Sequence, residues 1–151
     1  MAATDEPERA GGALTQRGES FAVVVPRHVA IIGGEPEDYE SLLDTFTVHH
    51  IDHLDRARAH ARGVLGRRTW LYLVHASGRL PPVEVACRVR VFAPWADVAL
   101  VLQHDPTPQE RVGIYSRGVV AVEVKPTPAV ACSLVYALAR RHARLVRMLD
   151  G

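Results

Sequence analysis

Residues 113–126 decide the fold, and they read Gly-Ile-Tyr-Ser-Arg-Gly-Val-Val-Ala-Val-Glu-Val-Lys-Pro. A helix is predicted to end at Gly118, since glycine commonly follows the last turn of a helix. The apolar run 119–124 predicts a buried strand that delivers Lys125 at its carboxyl end, where open α/β sheets hold their ligands. Pro126 then ends the strand, because proline has no backbone N–H to donate to a neighbouring strand.

Apolar segments of strand type alternate with helical segments along the rest of the chain. The first helical segment has apolar residues at positions i, i+3, i+4 and i+7, namely Tyr39, Leu42, Leu43 and Phe46. Because the strands are almost continuously apolar, they predict a parallel sheet covered by helices on both faces. The predicted fold is a doubly wound α/β sandwich of five parallel strands in the order 2-1-3-4-5. Strands are predicted at 28–32, 47–51, 69–74, 96–102 and 119–124, and helices at 36–46, 52–64, 82–92, 107–117 and 127–148.

Composition narrows the class of protein. The 151 residues fit one domain, predicted at 20–151 behind a flexible tail at 1–19 and starting with a short strand at 21–25. A net charge of +1 provides no overall field for nucleic acid or an anionic membrane, and no apolar run is long enough to span a bilayer. Two cysteines, both in predicted helices, are too few for a disulfide framework, and the acidic N-terminus is not a signal peptide. A cytoplasmic protein is therefore expected.

The Lys125-Pro126 pair resembles the end of the receiver domain of bacterial response regulators, which closes with Lys-Pro after its fifth strand. Residues 31–36, Ile-Ile-Gly-Gly-Glu-Pro, fit the segment in which a receiver carries two acidic residues and often Glu-Pro. Gly118 falls where the family has glycine, and the spacing from the fourth strand to the lysine matches the family. The resemblance covers about residues 28–148 and implies the flavodoxin-like receiver fold.

The residues that perform receiver chemistry are replaced in this chain. Gly33 and Gly34 stand where a receiver has its acidic pair for Mg²⁺, and His75 stands at the place of the phosphate-accepting aspartate. Glycine supplies no ligand, histidine is a poor ligand for a hard cation, and aspartyl phosphorylation needs a carboxylate nucleophile. The chain thus resembles a pseudo-receiver, for which we expect no enzymatic activity, no cofactor and no metal. The predicted degenerate phospho-site comprises Gly33, Gly34, His75, Lys125 and Gln103, the last at the place of the phosphate-sensing Thr or Ser.

The resemblance places the working surface on the face made by the fourth helix, the fifth strand and the fifth helix. Tyrosine and arginine, which are enriched at binding hot spots, occur there. The expected function is signal transduction or transcriptional regulation through phosphorylation-independent contact with a protein partner. That partner is a second copy in a homodimer or a signalling or output protein, rather than nucleic acid or a membrane. The predicted face comprises Arg111, Tyr115, Val119, Thr127, Tyr136 and Val122, the last at the family's aromatic switch position.

Two other functions stay open. The crevice around Gly33, His75, Gln103 and Lys125 would suit a sensor of small molecules or anions, or an enzyme. The chain would also suit the N-terminal regulatory domain of a DNA-binding response regulator. For His75 itself, a hydrogen bond to Gln103 or to a backbone carbonyl is favoured over a role as phosphate acceptor or pH sensor, because no general base or metal is evident beside it.

Two charged clusters have both a functional and a structural interpretation. A dense group of residues of zinc-ligand type could form a metal site: His49, His50, Asp52 and His53. The favoured alternative is that these four side chains lie on the surface and bind no metal. A group of arginines on the last helix could contact nucleic acid: Arg140, Arg141, Arg144 and Arg147. The favoured alternative is that they form a solvated face, where positive charge near a helix C-terminus is favourable.

Overall fold

The computed structural model describes residues 26–76 and 79–150, so the predicted tail at 1–19 and strand at 21–25 lie outside the described residues. Strands and helices alternate in the predicted order. The strands are β1 (His28–Ile32), β2 (Thr47–Ile51), β3 (Thr69–His75), β4 (Asp97–Leu102) and β5 (Ala121–Val124). The helices are a 3₁₀ helix (Pro36–Asp44), α1 (Leu54–Arg62), α2 (Val64–Arg67), α3 (Pro82–Phe92), α4 (Pro108–Ser116) and α5 (Pro128–Asp150).

The five strands form one parallel sheet in the order β2-β1-β3-β4-β5. This order confirms the predicted fold class. The chain leaves β1 toward β2 on one side and returns to β3 on the other side of β1. The carboxyl ends of β1 and β3 therefore flank the switch point, which is where doubly wound sheets hold their ligands.

The sheet is buried on both faces. The chain divides into two compact units, and residues 26–138 hold the sheet. Ala30 and Tyr72 belong to one buried cluster with Val89 of α3 on one face. The neighbouring residues Ile31 and Leu73 point to the opposite face and are also fully buried. This explains why the strands are apolar at nearly every position rather than at alternate ones. The described part of the second unit, residues 139–150, continues α5.

The first helix differs in kind from the prediction. It is a 3₁₀ helix that ends at Asp44, rather than an α-helix over 36–46. With three residues per turn, Tyr39 and Leu42 lie above one another and are both buried. Leu43, predicted on the same face, is 60% exposed because the tighter helix turns it away.

Several further boundaries differ from the prediction by one or more residues, while one glycine and both cysteines lie as predicted. The predicted helix 52–64 is interrupted at Gly63, which separates α1 from α2. The fifth strand begins at Ala121 rather than at 119. Gly118 has the left-handed φ of +85° that favours glycine after a helix, and its N–H donates to the Tyr115 carbonyl at 3.0 Å. Cys87 and Cys132 lie in helices as predicted, and both are free thiols.

Candidate functional site

The candidate site is a crevice at the carboxyl ends of the strands. The residues predicted for the degenerate phospho-site come from four strand ends and meet there. Gly34, His75, Gln103 and Lys125 line one pocket of about 330 Å³. Gly33 lies beside them and, with the same glycine, histidine and glutamine, lines a larger neighbouring cleft of about 1090 Å³. The structure thus brings together all five residues that the sequence places in this site.

His75 and the two glycines are sterically matched. Gly33 and Gly34 have φ values of +77° and +72°, in the left-handed region that favours glycine. A Cβ atom on Gly34 would lie 2.6 Å from Nε2 and 2.8 Å from Cε1 of His75, and a Cβ on Gly33 would lie 3.1 Å from His75 Cβ. The imidazole ring therefore occupies the space that a side chain at position 34 would need.

The hydrogen-bond partner of His75 is Tyr39, from the 3₁₀ helix. The Tyr39 hydroxyl and His75 Nε2 lie 2.6 Å apart, and the two rings meet edge to face with centroids 5.6 Å apart. The predicted bond from His75 to Gln103 or to a backbone carbonyl is therefore wrong for this nitrogen. Tyr39 was missed because its spacing in the sequence indicated only a core residue, and it is also buried.

Burial keeps both members of this pair uncharged near neutral pH. It raises the pKa of Tyr39 far above its ordinary value, and the nearby Cys132 and Asp38 raise it further. Burial also lowers the pKa of His75, with a further decrease from His50 and an opposing increase from Asp38. A neutral hydrogen-bonded pair of this kind occupies part of the crevice. It provides neither a nucleophilic carboxylate nor an anionic ligand for a cation.

Lys125 lies at the opposite wall of the small pocket. It continues the ladder of β5, since its N–H donates to the Leu102 carbonyl at 2.9 Å, but its φ of +44° is unusual for a residue with a side chain. Within residues 26–76 and 79–150 its exposed ammonium makes no hydrogen bond or ion pair.

Four of the six residues of the predicted interaction face lie where the sequence places them. Tyr115 is 45% exposed on α4, and Arg111 of the same helix pairs with Asp105 at 3.6 Å. Thr127 is exposed and accepts a hydrogen bond at 3.2 Å from the Val130 N–H, which caps α5. Val122 is half-buried on β5.

Two residues of that face require correction. Val119 is only 4% exposed and belongs to the hydrophobic core, because it precedes the strand and turns inward. Tyr136 lies beside the 3₁₀ helix instead of α4. Its hydroxyl is 3.2 Å from the Thr45 hydroxyl, and its ring packs against Phe46 with centroids 5.3 Å apart.

The histidines of β2 form a different cluster from the one considered in the sequence. His49 lies in β2 and His53 precedes α1, so the i, i+4 spacing between them is not helical. In the described part of the chain, no group of three or more His, Cys, Asp or Glu side chains is placed to hold a metal ion. Instead, His49 lies against His28 of β1 and His60 of α1, which the pairing of β1 with β2 and the packing of α1 bring near.

Comparisons with known proteins identify the fold. No family model and no curated protein matches the sequence. The structure is similar to the signal receiver domain of a protein assigned as a LuxO repressor from Vibrio parahaemolyticus, with a TM-score of 0.64, 14% identity and coverage of 83% of this chain and 98% of that one. An orphan response regulator of H. pylori gives a TM-score of 0.60, 18% identity and coverage of 76% and 95%.

A third similar structure comes from a protein assigned to pilus assembly in Burkholderia pseudomallei, with a TM-score of 0.58, 11% identity and coverage of 81% of this chain and 96% of that one. Among the helices of the described residues, none is long and apolar enough to cross a membrane. The similarities in structure extend over nearly the whole length of each neighbour. This chain therefore has the fold of a response-regulator receiver domain.

Proposed function

We propose that this protein is a pseudo-receiver that takes part in signal transduction by contact with other proteins, without aspartyl phosphorylation. The observation that carries the proposal is the matched packing of His75 over Gly34, at the positions where receivers carry the phosphate acceptor and one of the acidic residues. The space beside Gly34 is occupied by a neutral ring held by Tyr39. Phosphoryl transfer requires a carboxylate nucleophile and a metal that neutralises developing charge, and this arrangement provides neither.

The acidic residues that do line the pocket do not replace the missing pair. Glu35 and Asp38 belong to the segment of the 3₁₀ helix and line the same small pocket. Metal binding by hard oxygen ligands needs several carboxylates directed at one point. No such group of three occurs within the described ranges 26–76 and 79–150. These two acids therefore support a polar rim rather than a magnesium site.

The surface proposed for partner binding is the exposed side of α4 with the adjoining part of β5. Val112 is 71% exposed beside Tyr115, and Arg111 adds a cation whose charge is partly neutralised by Asp105. An aromatic anchor with an apolar neighbour and an arginine is typical of a binding hot spot. The partner is a second copy of the chain or a signalling or output protein. We propose no enzymatic activity, no cofactor and a cytoplasmic location.

Intact-mass measurement tests the absence of phosphorylation. The protein is incubated with Mg²⁺ and acetyl phosphate, and its mass is expected to stay unchanged. The matched control is Tyr39→Phe, which removes the hydrogen bond to His75 without creating a carboxylate. This variant should also stay unmodified. A stable adduct of about 80 Da, the mass of one phosphoryl group, on the wild-type chain would contradict the proposal.

A second function, sensing a small anion, is favoured by one observation. The ammonium of Lys125 makes no ion pair within the described residues and lines the small pocket with Gln103. An anion placed there would meet one cation and one amide donor. Calorimetric titration with inorganic phosphate tests it, with Lys125→Met as the control. Binding that the substitution abolishes would replace the scaffold function by a sensor function.

A further inference from the structure

Three histidines and one tyrosine from four elements meet under helix α1, away from the crevice residues. The parallel register pairs Ala30 of β1 with His49 of β2 on one side and with Tyr72 of β3 on the other. His60 of α1 contacts both of these neighbours of Ala30. The His60 ring lies 5.0 Å from the ring of His49 and 5.9 Å from the ring of Tyr72. His28 of β1 completes the group, which we call the histidine cluster: His28, His49, His60 and Tyr72.

The hydrogen bonds of the histidine cluster depend on neutral rings. His28 Nδ1 and His49 Nε2 lie 3.0 Å apart, and the two rings stack at 14° with centroids 5.2 Å apart. Such a bond needs one nitrogen that accepts, so it is lost when both rings are protonated and both nitrogens carry hydrogen. His60 Nδ1 is bonded to the Tyr72 hydroxyl at 3.2 Å. The other nitrogen of His60, Nε2, is buried without a hydrogen-bond partner among the described residues.

Burial and the neighbouring histidines both oppose the protonation of His49 and His60. Burial lowers the pKa of His49, and the positive charges that His60 and His28 would carry lower it further. Burial and His28 lower the pKa of His60 in the same way. The Tyr72 hydroxyl is the other titratable group in contact, and burial raises its pKa to about 12, so it stays neutral. From α3 the contact is with Phe92, which carries no charge, and no carboxylate is among the groups that shift these pKa values.

We propose that the histidine cluster makes the attachment of helix α1 to the sheet sensitive to acid, so that the helix loosens when the cluster takes up protons. In the unfolded chain His49 and His60 bind a proton near pH 6.5, and in the folded chain they bind it only at lower pH. Stability is therefore complete above about pH 6.5 and is lost as the pH falls below it. Leu54 and Asp55 at the start of α1 line the larger cleft, so loosening of the helix reaches the crevice. This inference is independent of the proposed function.

Histidine-detected NMR and amide hydrogen exchange on the full chain test the proposal between pH 7.5 and 5.5. We expect His49 and His60 to titrate below the ordinary histidine value. We also expect the protection of the α1 amides, corrected for intrinsic exchange, to fall by about tenfold for each proton taken up over one pH unit. Protection of the α4 amides, which have no histidine beneath them, should change less.

Matched variants separate the histidine cluster from the other histidines. His49→Gln should reduce the pH dependence of α1 protection, whereas His104→Gln, at an exposed site after β4, should keep it in full. The wild-type titration decides the question by itself if His49→Gln does not fold. Ordinary titration of His49 and His60, or equal loss of protection in α1 and α4, would overturn the proposal. Unchanged pH dependence in His49→Gln would overturn it as well.

Discussion

At the scale of single residues, the packing of His75 against Gly34 makes a direct prediction about stability. Gly34→Ala should lower the free energy of unfolding by about 1–3 kcal/mol, because the new Cβ would overlap the His75 ring and the backbone φ of +72° is unfavourable for alanine. Urea denaturation of both proteins measures the difference.

The control for this prediction is Gly63→Ala. Gly63 lies between two helices, has an ordinary φ of −83°, and a Cβ there would meet only the His60 carbonyl at 3.5 Å. This substitution should leave stability within about 0.5 kcal/mol of the wild type. The double variant Gly34→Ala/His75→Ala should recover part of the loss, since the overlap is removed while the backbone strain stays. Equal midpoints for Gly34→Ala and wild type would show that the ring moves aside freely.

The residues of the crevice could be located from the sequence, but their partners could not. The apolar run before Lys125 and the resemblance to receiver domains placed Gly33, His75 and Lys125 at one edge of the sheet, and the structure brings them together. The bond from His75 to Tyr39 depends on the tight turn of the 3₁₀ helix, which brings a core residue to the strand end. Side-chain partners of this kind follow from tertiary packing rather than from local pattern.

At the scale of elements, the sequence predicts strands better than the first helix. β1, β2 and α3 have their predicted bounds, and flanking glycines or prolines mark the end of β1 and the start of α3. Over only nine residues, a repeat of 3.0 cannot be distinguished from one of 3.6, so the first helix was predicted as an α-helix and Leu43 was wrongly placed on its buried face. The histidine cluster could not be predicted for a related reason, since it depends on strand register and on the contact of α1 with β2.

The strand ends of β1 and β3 provide a test of the receiver geometry itself. The triple variant Gly33→Asp/Gly34→Asp/His75→Asp should acquire a Mg²⁺ site, because positions 33 and 34 both lie against residue 75. Without metal, three carboxylates in one crevice should repel and lower the melting temperature. Saturating Mg²⁺ should then restore stability, by about 2.7 kcal/mol when it is a hundredfold above the dissociation constant.

Thermal melts of the triple variant with and without Mg²⁺ measure this gain, and wild type and the single variant His75→Asp are the controls. Neither control has the full set of oxygen ligands, so Mg²⁺ should leave their melting curves unchanged. Superimposable curves of the triple variant in both conditions would mean that the three carboxylates do not converge, despite the proximity of the positions.

At the scale of the whole molecule, the fold matches that of receiver domains, whereas the residues at the strand ends differ from the receiver pattern. The structural neighbours, which have 11–18% sequence identity, align with three quarters or more of this chain. Such a fold is specified by apolar patterning that many sequences satisfy, so it could be predicted without a close relative. Activity depends on a few residues at strand ends, and there the sequence differs from the receiver pattern at Gly33, Gly34 and His75. The fold alone therefore does not determine the function of this chain. Substitutions on the surface test the proposed function.

The proposed surface and the crevice can be distinguished by substituting each one separately. Tyr115→Ala and Arg111→Glu should each weaken self-association or partner binding by about 1–3 kcal/mol, the range typical of interface anchors, since both side chains lie on the accessible side of α4. His75→Ala should leave the free energy of binding within about 0.5 kcal/mol of the wild type, because that ring packs against Gly34 in the crevice rather than on the surface of α4. Sedimentation equilibrium measures self-association, and titration with a partner captured from the native host measures hetero-association. If His75→Ala abolishes binding while Tyr115→Ala has no effect, the crevice is the working site and the anion-sensing function replaces the scaffold function.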